Sequence, residues 1–79
     1  MQNLIDLNER ILIAGANGMA GKAITIELKK AGYGSIKNNG KLYTPSRKEL
    51  DFLDYSATKF WFETNKPTIV IIAAAKVGG

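Results

Sequence analysis

The 79-residue chain contains neither cysteine nor histidine. Without cysteine there is no disulfide framework, no thiolate metal site and no thiol nucleophile. Without histidine, imidazole acid–base catalysis and most zinc geometries fall away as well. Hydrolytic triads are thereby excluded on composition. Only 2 prolines interrupt the chain, and no apolar stretch approaches the roughly 18 to 20 residues that a membrane span requires. Residues Met1 to Glu9 carry acids and amides where a secretory signal needs a basic region, so the cytoplasm is the default expectation.

What is present suits a folded chain: 46% hydrophobic residues, 23% charged residues and 8 glycines. The length allows one small domain, residues 1–79, with a thin core. Eleven Lys plus Arg against seven Asp plus Glu give a net charge of +4. The cations, however, are spread along the chain and form no basic run, which describes a solvated surface and argues against nucleic acid as a partner.

Arg10-Ile11-Leu12-Ile13-Ala14 is a short continuous apolar run closed by Gly15, the pattern of a strand buried on both faces, over about 10–15. From Met19 to Ala31, Ala20, Ala23, Ile24, Leu28 and Ala31 recur at helical intervals, and Gly32 provides the stop. Tyr33 to Gly40 reads as a loop, followed by a brief strand over 41–44. Ser46 and Glu49 have the spacing of a capping box at a turn or short helix. Asp54 can cap a helix over 55–65, with Ala57, Phe60, Trp61 and Thr64 on one face, and residues 68–74 form a β-branched third strand.

Strand, helix, strand, helix, strand implies an α/β domain with a parallel sheet and right-handed crossovers. The expected fold is the first βαβαβ half of a Rossmann-type, doubly wound sheet. Strands running outward in the order 3-2-1 would put both helices on one face and leave the other bare. Yet the first and third strands are apolar at consecutive positions, which calls for cover on both. The pattern therefore reads as a truncated part of a larger domain, with a homodimer or other self-association as another source of the missing layer.

Gly15-Ala16-Asn17-Gly18-Met19-Ala20-Gly21 falls where the first strand becomes the first helix. In that context Gly15 permits a tight turn, Gly18 admits a pyrophosphate to the backbone, and Gly21 lets helix and sheet approach closely. A nucleoside-triphosphatase loop fits less well: Gly21-Lys22 resembles its end, but the spacing from Gly15 is one residue too long. Ala23 also stands where a magnesium-binding hydroxyl belongs. No carboxylate ends the second strand, where NAD ribose would be bound. Tyr43-Thr44-Pro45-Ser46-Arg47-Lys48 instead offers hydroxyls and cations, which suits the 2′-phosphate of NADP, with Arg47 as its ligand. Asp51 and the Phe52 amide are candidates for adenine, and Ala73, Ala74 and Ala75 leave room for a cofactor against the backbone. Two Tyr-x-x-x-Lys spacings, Tyr33 to Lys37 and Tyr55 to Lys59, match a ketoreductase pair in pattern but not in placement.

Taken together, Ile13 through Gly21, Ser46-Arg47-Lys48-Glu49-Leu50-Asp51-Phe52-Leu53-Asp54 and the closing Ala73-Ala74-Ala75-Lys76-Val77-Gly78-Gly79 resemble the start of the GDP-L-fucose synthase family. That family belongs to the extended short-chain dehydrogenase/reductases, and the resemblance covers nearly the whole chain. It implies an NADPH-dependent enzyme that epimerises GDP-4-keto-6-deoxymannose at two carbons and reduces the ketone to GDP-L-fucose. By match, Gly15, Gly18 and Gly21 hold the pyrophosphate, Arg47 the 2′-phosphate, Asp51 and Phe52 the adenine, and Ala73 to Ala75 the ribose side. Asn17 and Met19 of the same loop complete the candidate cofactor-binding set. Asn17 departs from the family, which commonly has arginine there, and the Tyr33 to Gly40 loop is longer than usual. The family's serine, Tyr-x-x-x-Lys and acid–base residues would fall after Gly79. Catalysis is therefore expected of a longer parent, which would bind the nucleotide-sugar. A non-catalytic NADPH-binding module, or another NAD(P)-dependent nucleotide-sugar epimerase/dehydratase, is the alternative.

Overall fold

A computed structural model describes residues 5–73 of the chain. It contains strands β1 (Arg10–Ala14), β2 (Lys41–Tyr43) and β3 (Ile69–Ile72), and helices α1 (Met19–Lys30) and α2 (Tyr55–Asn65). One 3₁₀ turn, Ile36–Asn38, lies in the connection from α1 to β2. The strands are parallel, with Ile11 opposite Leu42 on one side and Ile69 on the other. This is the α/β arrangement expected of a Rossmann-type half domain.

The strand order is β2-β1-β3, not 3-2-1. The chain moves from β1 outward to β2, then crosses back over β1 to lay β3 on the opposite edge. Two right-handed crossovers running in opposite directions place their helices on opposite faces, so β1 has no bare face. Ile11, Leu12 and Ile13 are fully buried. Ile11 and Ile13 cluster with Tyr33, Ile69, Ile71 and Leu28 of α1. On the other face Leu12 lies in register with Tyr43, whose ring meets Trp61 of α2 edge-on with centroids 5.2 Å apart.

Full cover was expected for the third strand as well, and there the structure differs. Val70 and Ile72, on the α2 side of β3, are 45% and 73% exposed. Helix α2 meets β2 and β1 through Tyr43 and Arg10, and the described residues cover that face of the edge strand only in part, leaving Ile72 the most open.

Helix α2 also turns a different face inward from the one its apolar residues suggest. Thr58, Trp61, Phe62 and Asn65 are half-buried, while Ala57, Phe60 and Thr64 are exposed. The two polar residues are accommodated because each bonds backbone. The Thr58 hydroxyl donates to the Asp51 carbonyl at 3.1 Å, and the Asn65 amide donates to the Trp61 carbonyl at 3.0 Å. The Asn65 carbonyl, at the open C-terminal end of α2, in turn accepts from the Tyr43 hydroxyl at 3.2 Å and from the Arg10 guanidinium. Strands β1 and β2 thus both hold the end of this helix.

Candidate functional site

The loop between β1 and α1 is set by two glycines. Gly15 has φ +81°, a left-handed conformation that a side chain would strain. Its carbonyl accepts from the Gly18 N–H at 3.1 Å, closing the turn. Gly21 is buried beneath that turn. A Cβ there would meet the Gly15 carbonyl oxygen and stand 2.6 Å from the Ala16 Cα, so the helix can start this close to the loop only with glycine.

Gly18 is different: a Cβ on it would touch only the Gly15 carbonyl oxygen, at an ordinary 3.5 Å. Glycine is not needed there for packing, so it keeps open space above the loop. Gly18 is also the N-cap of α1, with no side-chain cap and no acidic residue in the first turn. Among the described residues the first amides of α1 have no partner, at the positive end of the helix dipole. An open cradle bounded by unpaired amides fits a pyrophosphate.

Beside this loop lies a cleft of about 330 Å³, lined by Gly15, Ala16, Asn17, Gly18, Pro45, Arg47, Leu50, Asp51, Phe52 and Leu53. Its volume is at the lower end for small-molecule sites, near 300 Å³, and suits one nucleoside end of a larger ligand. The far wall is shaped by local hydrogen bonds. Ser46 and Glu49 form the reciprocal capping pair that their spacing predicts, the Glu49 carboxylate accepting from the Ser46 N–H at 2.8 Å and the Ser46 hydroxyl from the Glu49 N–H at 3.3 Å. They close a turn and not a helix. Leu50 is buried and forms the floor. Asp51 accepts from the Leu53 N–H at 2.9 Å, and Asp54 accepts from the Ala57 N–H at 3.0 Å as the N-cap of α2.

Of the candidate residues, Gly15, Asn17, Gly18, Arg47, Asp51 and Phe52 meet around this one cleft. Met19 is 91% exposed beside it, and Gly21 supports the loop from below without lining it. Ala73 follows β3, its N–H donating to the Ala14 carbonyl at 2.8 Å, which puts it at the same C-terminal end of the sheet as the loop. Ala74 and Ala75 lie outside the described residues. Arg47 is exposed, and neither ion pair among the described residues, Glu27–Lys30 or Lys59–Glu63, engages it. Asp51 has one carboxylate oxygen engaged by its own turn and, among the described residues, no partner for the other. Ala16, Pro45, Leu50 and Leu53 were not foreseen. A capping box followed by an apolar pair is the signal in the sequence that a wall folds back here.

A model of the NAD dependent epimerase/dehydratase family matches residues 11–79. The chain belongs to that family. Among its curated members, GDP-L-colitose synthase of Yersinia pseudotuberculosis is 40% identical over 70 residues, covering 89% of this chain and 20% of the relative. GDP-L-fucose synthase 1 of Arabidopsis thaliana is 33% identical across the whole chain and 23% of its own length. Among solved structures, the GDP-mannoheptose C4 reductase of Campylobacter jejuni with NADP bound superposes with a TM-score of 0.78 at 35% identity, over 95% of this chain and 22% of that one. The chain spans about a fifth of the length of the family members it matches.

Neither of the two ketoreductase-like spacings lines the cleft. Tyr33 is buried and its hydroxyl donates to the Ile5 carbonyl. Tyr55 is exposed on the first turn of α2, and its partner in the spacing, Lys59, pairs with Glu63 at 3.6 Å. The remaining tyrosine, Tyr43, is engaged by α2.

Proposed function

We propose that these 79 residues are the NADP(H)-binding part of a nucleotide-sugar epimerase-reductase, with GDP-4-keto-6-deoxymannose as the substrate of the parent and GDP-L-fucose as its product. The observation that carries this reading is the junction of the open, uncapped α1 N-terminus with a cleft whose one cation is Arg47. The amides take the pyrophosphate, Arg47 takes the 2′-phosphate, and the Asp51 to Leu53 wall takes the adenine. NADPH supplies a hydride when bound. These residues hold and orient the dinucleotide; Tyr33 and Tyr43 donate to backbone carbonyls, and Tyr55 is exposed on the first turn of α2 and does not line the cleft. Proton transfer, epimerisation and sugar recognition belong to the remainder of the parent, in the cytoplasm.

Titration of the 79-residue chain with NADPH and NADH by calorimetry tests this reading. Saturable binding that favours NADPH, with the preference reduced by Arg47→Ala, is the expected result. Equal affinity for the two cofactors, or no binding by a chain whose circular dichroism shows it folded, would sink it.

A further inference from the structure

A second cleft, of about 240 Å³, opens on the other side of the glycine loop and is lined by Ala16, Asn17, Lys22, Thr25, Ile26 and Thr44. It shares Ala16 and Asn17 with the first cleft. Thr44 in one and Pro45 in the other are consecutive, so the two clefts meet where β2 ends. Among the described residues Lys22 is the only charged one on the second wall, and no carboxylate lines it. It is exposed, and neither ion pair among the described residues uses it. The Thr25 hydroxyl is already committed, donating to the Gly21 carbonyl at 2.7 Å.

We propose that Lys22 is a second ligand for the 2′-phosphate, reaching it from the α1 side while Arg47 reaches it from the opposite side, and so determines cofactor specificity. This rests on the NADP reading above. A phosphate monoester carries nearly two negative charges at neutral pH, and one guanidinium answers only part of that. Asn17 adds a donor but no charge, and Thr44 adds a hydroxyl. An ammonium on a flexible stem, rooted one residue past Gly21 and facing the end of β2, supplies the missing charge without a fixed hydrogen-bond fork. The feature that resembles the end of a triphosphatase loop, Gly21-Lys22, thus serves a phosphate at the other end of the nucleotide.

The test compares NADPH, NADH, 2′,5′-ADP and ADP binding to the 79-residue chain and to Lys22→Ala, Lys22→Arg and Arg47→Ala. Lys22→Ala should weaken NADPH and 2′,5′-ADP about tenfold, as loss of one charge-assisted contact does, and leave NADH and ADP within about twofold. Lys22→Arg should keep the affinity. If Lys22→Ala changes neither pair, or weakens phosphorylated and unphosphorylated ligands alike, Lys22 is not a 2′-phosphate ligand. A selective loss in Arg47→Ala in that same experiment leaves the NADP reading standing. If Arg47→Ala and Lys22→Ala both lack a selective effect, the NADP reading fails together with this one.

Discussion

The indole of Trp61 meets the ring of Tyr43 edge-on at 81°, and the Tyr43 hydroxyl donates one turn further along α2, to the Asn65 carbonyl. This contact joins the α2 face of the sheet to its helix, and Phe62 extends it with a second edge-on contact to Trp61 at 5.5 Å. Trp61→Ala removes both aromatic contacts and the area behind them. Large-to-small changes in a full core cost about 3–5 kcal/mol for tryptophan, and a half-buried site lies below that, near ~2 kcal/mol. In so small a domain that is much of the total stability, so circular dichroism should show Trp61→Ala largely unfolded at temperatures where the parent chain is folded. Tyr43→Phe keeps the ring and loses one hydrogen bond, for about 1 kcal/mol. Trp61 is the only tryptophan in the chain, so its fluorescence follows the unfolding of Tyr43→Phe directly.

Gly18 and Gly21 separate binding from folding. Gly21→Ala drives a methyl into the Gly15 backbone, where nothing flexible can yield, and overpacking of this kind costs about 1–3 kcal/mol. It should lower the denaturation midpoint in urea. Gly18→Ala meets ordinary van der Waals distance and a permitted backbone conformation, φ −77°. Its unfolding should shift by about 1 kcal/mol or less, the difference between glycine and alanine at an N-cap, while dinucleotide affinity falls at least tenfold because the methyl occupies the cradle. A Gly18→Ala variant that binds as well as its parent would show that the phosphate does not sit there.

These two glycines also mark what could be read from residues alone. Strand, turn and helix are written locally: an apolar run, three glycines at fixed spacing, and apolar residues at helical intervals. The reciprocal bonds of Ser46 with Glu49 and the Asp54 cap were equally legible, because each is a contact three residues long. The strand order was not. Nothing in Ile69 to Ile72 states on which edge of the sheet they pair, and the choice of edge decides whether β1 is covered on one face or two. The inward face of α2 is hidden for a related reason: Trp61 meets the Tyr43 ring and the Asn65 carbonyl accepts from Tyr43 and Arg10, contacts with β1 and β2 that the helix's own residues do not state. At the site, the glycine loop was visible in the sequence, while the Leu50 floor and the Lys22 cleft exist only once β2 and α1 stand side by side.

Leu50 connects the wall of the cleft to the core. It is 3% exposed and follows the capping pair directly. Leu50→Ala should cost about 2–3 kcal/mol, at the lower end for buried leucine because the site opens to a cleft that can relax. Under conditions where the variant remains folded, its affinity for NADPH and NADH should fall by the same factor. The floor positions the Asp51 to Leu53 wall but does not distinguish the 2′-phosphate. An unequal loss would mean that Leu50 also fixes the position of Arg47.

The partly covered face of β3 predicts how the chain behaves on its own. Val70 and Ile72 present β-branched apolar surface on an edge strand, beside main-chain groups with no pairing partner among the described residues. Such an edge templates association with another copy. Sedimentation velocity should therefore show the 79-residue chain self-associating at micromolar concentrations, with the equilibrium moving toward monomer in Ile72→Lys. The substitution places a charge where the side chain is already mostly in water, so the thermal midpoint should change little. If Ile72→Lys leaves the association intact while Phe60→Lys, on the exposed side of α2, abolishes it, the contact between copies lies on the helix and the edge of β3 is not the adhesive surface.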